Sequence, residues 1–238
     1  MIKLAESMLA DGFKNGESMV TVGKNAETIP GDGNGLLQTG LWYCIKASVA
    51  PLTEMDCAAI AVISNRCKHK DFPIFWRSPY KINPDDNQEH DDYWGWLAAL
   101  YHSKNELACE FYKKAESWSW FIDIQEPGDH TPKYYFDRFP GFRIFAKASA
   151  RNISPLTPRE ILEVALVGFK KCYTLENSDA LMRTYCFFSV LSRESRIMKA
   201  IGALWLQRVR KKYGTTGHAF AGYFQDEKHP LCIGDWNL

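Results

Sequence analysis

Long apolar runs are absent from this sequence. Nothing approaches the roughly 18 consecutive apolar residues of a membrane-spanning helix. The opening MIKLAESMLADG is too polar for the apolar centre of a secretion signal, so a cytoplasmic protein without a membrane partner is expected. An excess of one charge is absent too. The 29 Lys and Arg against 28 Asp and Glu leave +1. No global field therefore gathers nucleic acid or an anionic membrane, and a charged ligand must be met locally. The seven cysteines are odd in number, widely spaced and without a CxxC pair. That excludes a disulfide framework and points to reduced thiols used as small core hydrophobes. Strand signals are sparse. Ser18–Val22 is one short candidate, and residues 118–124 read as either strand or helix. Without alternating strands and helices a parallel α/β sheet is ruled out, which leaves at most a short hairpin. No repeat recurs at a fixed period.

What is present is helical periodicity over a chain of 238 residues, 46% apolar and 14% aromatic, enough for one large core. Leu36, Leu37, Gly40, Leu41, Cys44, Ile45 and Ser48 form one stripe, its small residues allowing another helix to approach closely. Cys44 on that stripe reads as packing, not as a nucleophile. Met55, Ala59, Val62, Ile63 and Arg66 make a second stripe, opened by the Thr53/Asp56 pair of a capping box. Tyr93, Trp96, Leu97, Leu100 and Tyr101 make a third. Thr157-Pro158-Arg159-Glu160 is another capping box with proline at the first helical position. The following ILEVALVGF is apolar nearly all round and is expected to be the most buried helix. Ile197, Met198, Ile201, Leu204 and Trp205 stripe the last helix, which closes in basic residues and Gly214. The expectation is an all-α, single-domain bundle of about nine helices over residues 1–238.

Chemistry concentrates in two places. The irregular stretch from Lys68 to Glu89 is unusually long for a compact domain, and such loops are usually functional. It carries Trp76 and Arg77 and delivers His90, Asp91, Asp92, Tyr93 and Trp94 to a helix start. One carboxylate there would serve as a cap with the helix dipole. Several acids beside a His, a Tyr and an Arg could instead perform acid/base work while Arg and Trp grip a polar ligand. The second place is Pro30-Gly-Asp-Gly-Asn-Gly35, where Asp32 either caps the next helix or points into a cavity, with Gln38 and Trp42 behind it. It lacks the Lys-Ser/Thr of a phosphate-cradling loop, and no strand leads into it. No spacing among the histidines and acids supports a metal site, and no cofactor is called for. Arg208, Arg210, Lys211 and Lys212 suit a helix C-terminus, which makes nucleic acid the weaker reading.

Gly-Asp-Gly-x-Gly-Leu-Leu-x-x-Gly opening a helix, then Arg77-Ser-Pro, then His90-Asp-Asp-Tyr-x-Gly opening another, resembles the (α/α) toroid glycan-processing proteins and their phage-encoded relatives. The likeness covers residues 30 to 100, and about nine helices fall short of the twelve of a full ring. It implies an incomplete toroid that binds or cleaves a polysaccharide or oligosaccharide. Asp32 and Asp92 (or Asp91) would be the paired carboxylates of a glycoside hydrolase. His90 and Tyr93 would serve a lyase. Gln38, Trp42, Trp76, Arg77 and Trp94 would hold the sugar. The alternative it leaves open is a non-catalytic interaction or virion-structural protein using the same aromatic-rich surface.

Overall fold

The computed structural model describes residues 35–68, 75, 90–122, 134–135, 141–173, 175, 178–214 and 237–238. Eight helices lie among them: α1 (Gly35–Val49), α2 (Glu54–Cys67), α3 (His90–His102), α4 (Leu107–Ser117), α5 (Phe142–Ser149), α6 (Pro158–Lys171), α7 (Ser178–Glu194) and α8 (Arg196–Tyr213). The all-α expectation holds. The sole sheet among the described residues is the two-residue antiparallel pair β1 (Phe121–Ile122) and β2 (Tyr134–Tyr135), joining Phe121 to Tyr135 and Ile122 to Tyr134. Of the ambiguous 118–124 stretch, residues 118–120 form turns and Phe121–Ile122 the strand, while residues 123 and 124 lie outside the described residues. Ser18–Val22 lies outside the described residues.

Local signals set the helix ends. Thr53 and Thr157 accept from the backbone N–H three residues on, and Asp56 and Glu160 reach back to the cap N–H, closing both capping boxes. Lys46 on α1 adds an ion pair to Asp56 at 2.7 Å, and Lys147 on α5 does the same for Glu160 at 2.8 Å. Gly214, at φ 78, ends α8 with its N–H on the Arg210 carbonyl.

The tightest helix contact is α1 on α3. A Cβ added at Gly40 would overlap the Gly95 carbonyl, and one added at Gly95 would overlap Leu37. Backbone meets backbone there, as the small residues of the α1 stripe implied. Helix α3 is the most enclosed, with every residue from Asp91 to Tyr101 buried against α1, α4, α5 and α7. Trp96 lies in its middle and donates through Nε1 to Ser64 Oγ of α2 at 3.1 Å.

The expectation for ILEVALVGF is overturned. Within α6 only Val164 and Gly168 are buried, while Leu162, Leu166 and Phe169 are exposed. A helix that is apolar all round can be buried on every side only where neighbours exist on every side. Helix α6 sits at the margin, packed mainly on α8. For the same reason Ile197 and Leu204 of α8 face outward although they share a stripe with buried Met198 and Trp205.

Candidate anion-binding cleft

Of the residues singled out by the sequence, Asp91 to Trp94 lie in the first turns of α3, next to the start of α1. Asp92 is 1% exposed, and its Oδ1 accepts the Leu37 N–H at the start of α1 at 3.0 Å. It therefore caps a neighbouring helix across 55 residues of sequence. Asp91 forms an ion pair with Arg183 of α7 at 2.5 Å. The Tyr93 hydroxyl accepts from the Phe75 N–H at 3.2 Å. Trp94 is a core residue, its ring 4.8 Å from Phe145 and 5.0 Å from Phe142, so it presents no face to solvent. Trp42 is half-buried against the core. Asp32, Trp76 and Arg77 lie outside the described residues, as do the side chains of Gln38 and His90. The structure thus joins Asp91 and Asp92 to helix-fixing partners.

The opposite face is where solvent-accessible polar groups converge. The C-terminal ends of α1, α3, α5 and α7 all reach it, because the intervening helices run back. Two adjoining cavities open there, of about 470 and 560 Å³, and Ser48, His102, Arg151 and Arg193 line both. Lys104 lines one and Lys199 the other, and among the described residues no lining side chain carries a carboxylate. Cations at helix C-termini are the favourable sign for the dipole, which accounts for part of this concentration. It does not account for the backbone. Lys104 at φ 57 and Arg151 at φ 34 are two of the four non-glycine residues in the left-handed region among those described, and both line the cleft. Each such residue costs on the order of 1 kcal/mol, and strain of this kind collects at functional sites.

Individual side chains are held in place. The Arg151 guanidinium lies 4.0 Å over the Tyr101 ring, and Arg193 Nη2 donates to the Ala47 carbonyl at 3.1 Å. Both keep further N–H donors to offer. Tyr101 donates to Glu194 at 2.6 Å; burial first, then that carboxylate, raises its phenol pKa. His102 Nε2 lies 3.3 Å from Ser189 Oγ, which donates to the Cys186 carbonyl. Ser192 Oγ is buried beside the cleft without a hydrogen-bond partner among the described residues. Cys44 lies at the floor: burial raises its pKa, but hydrogen bonds from Cys186 and His102, with the His102 charge, outweigh burial and lower it. Its neighbour Cys186 is held well above the ordinary thiol value by burial and by Cys44. No group of three metal-ligating side chains occurs among the described residues.

His102, Arg151, Arg193, Ser189 and Ser192 carry no local signal that marks them as one site. They come from two helices and a turn, separated by more than 35 residues except within α7. Only their shared place at helix ends hints at it. A comparison with protein-family models, curated proteins and solved structures finds no match for this chain. What the fold and the cleft define is a helical protein with a cationic, hydroxyl-lined cavity at the C-terminal ends of four helices.

Proposed function

We propose that the protein binds an acidic saccharide, such as a uronic-acid residue of an oligosaccharide or polysaccharide, in the Arg151–Arg193 cleft. The observation that carries this reading is the pair of adjoining cavities lined by both guanidiniums and, among the described residues, by no side-chain carboxylate. A guanidinium offers a carboxylate two parallel charge-assisted bonds, the strongest polar contact a protein makes with such a group. Ser48, Ser189 and Ser192 suit the hydroxyls of a sugar ring, and the volumes fall in the range of small-ligand sites. The alternation in helix direction is in keeping with a stacked-hairpin, toroid-like arrangement. Binding is preferred over cleavage because the described residues of the cleft do not supply the two carboxylates that hydrolysis needs. Hydrolysis would have to use other carboxylates, such as Asp91 or Asp92 on the other face.

Titration calorimetry with an oligouronate, a neutral oligosaccharide of equal length and inorganic phosphate tests this. The oligouronate should bind, more weakly as salt rises, and Arg151→Gln or Arg193→Gln should each weaken it about tenfold or more. Equal binding of the neutral sugar, or indifference to both substitutions, would refute the reading. Phosphate binding as tightly as the oligouronate would make the cleft an anion site without saccharide character. Reducing-sugar release by the wild type that Asp92→Asn abolishes would move the function to the opposite face.

A further inference from the structure

The apolar surface of α6 and α8 is distinct from the cleft and has a different use. Leu162, Leu166, Phe169 and Tyr173 on and just after α6, with Ile197 and Leu204 of α8, are each between 55% and 65% exposed. They make up six of the eight large exposed hydrophobics among the described residues. The two helices pack on each other, and a concentration of exposed apolar side chains on one packed pair marks an interface.

We propose that two copies of this chain associate through this face about a twofold axis, with α6 running antiparallel to its counterpart. The first argument is order. Leu162, Leu166, Phe169 and Tyr173 are spaced four, three and four residues apart, a pattern identical when read backwards. An antiparallel second copy therefore sets Leu162 against the partner's Tyr173 and Leu166 against the partner's Phe169. A twofold interface must be self-complementary in this way. The second argument is charge. Glu163 and Lys170 are both exposed and lie on one flank of α6, since seven residues make almost two helical turns. A twofold axis perpendicular to α6 keeps that flank on the same side in both copies. Glu163 of each copy then meets the partner's Lys170, twice per dimer.

The third argument is size and preparation. The six residues expose on the order of 650 Å² per copy, so complete burial of the face would remove about 1,300 Å² for the pair, at the lower end of stable specific interfaces. The aromatic end is already ordered. The Phe169 and Tyr173 rings stand 5.3 Å apart, and the Arg208 guanidinium lies 4.3 Å from the Tyr173 ring while Nη1 donates to the Cys172 carbonyl at 3.3 Å. Side chains held this way lose little freedom on association.

Sedimentation equilibrium of the full chain should give a mass twice the 27.3 kDa of one copy. Leu166→Glu should return it to 27.3 kDa with an unchanged circular dichroism spectrum, because position 166 is mostly exposed. Glu163→Lys should weaken the dimer about tenfold, and adding Lys170→Glu to that variant should restore it. A wild type that remains monomeric at about 100 μM overturns the proposal, as does a dimer that survives Leu166→Glu. A double variant no tighter than Glu163→Lys overturns the antiparallel arrangement and the proposal with it.

Discussion

Replacing Gly40 by alanine tests the closest contact of the fold with one methyl group. The added Cβ would stand 2.7 Å from Gly95 Cα and overlap the Gly95 carbonyl, where ordinary contact needs 3.4–4 Å. The obstacle is backbone, so no change of rotamer relieves it, and α1 and α3 must part by about 1 Å or more. That separation loosens Leu37 and Leu41 against α3 and stretches the 3.0 Å bond from the Leu37 N–H to Asp92. Alanine gains about 1 kcal/mol of helix propensity over glycine, which works in the opposite direction. Overpacking against an immovable wall outweighs it, and the expected net loss is about 3 kcal/mol. In a chain of this size that lowers the melting temperature by roughly 6–12 °C. Gly202→Ala is the matched control. The nearest atoms to its added Cβ, at 3.0 Å, are side-chain carbons of Leu238 and Phe188, which can shift. Thermal melts followed at 222 nm on both variants decide the matter. A Gly40→Ala protein that melts at or above the wild type would refute the packing argument.

Three further outcomes follow from named contacts. Asp92→Ala leaves the buried Leu37 N–H without its acceptor and should cost about 2–4 kcal/mol in urea unfolding; Asp92→Asn should cost less, since an amide oxygen can still accept. Trp94→Ala should cost about 3–5 kcal/mol through the cavity left among Phe142, Phe145 and Phe187, so any loss of ligand binding in that variant should track its unfolded fraction. Burial, and secondarily the charge of Arg183, lower the Lys171 ammonium to about 8 from 10.5, with Asp91 opposing. The unfolded chain therefore binds a proton that the folded one has lost between about pH 8 and 10.5, so stability rises with pH across that window, and the penalty is fully present below about 8. Lys171→Met keeps the stem and removes the charge. It should stabilise the protein at pH 7 by on the order of 2 kcal/mol and flatten the rise above pH 8 in melts taken at several pH values.

Local chemistry was readable from residues alone wherever it acts over a few positions. Both capping boxes, the Gly214 end of α8, the all-helical class and the small residues of the α1 stripe depend on neighbours within one or two turns, and the structure bears them out. Periodicity also identified the apolar faces. It could not tell which of them would find a partner. Helix α3, which carries two acids, two tyrosines and two tryptophans, became the centre, while the more apolar α6 became the margin. Burial is decided by how many neighbours surround a helix, and that number is a property of the assembled bundle. The same holds for polar groups. The partners of Asp91 and Asp92 could not be read from the sequence, because Arg183 and the Leu37 N–H stand 92 and 55 residues away. The cleft was invisible for the complementary reason: its arginines, histidine and serines are unremarkable singly and become a site only where the C-terminal ends of four helices meet.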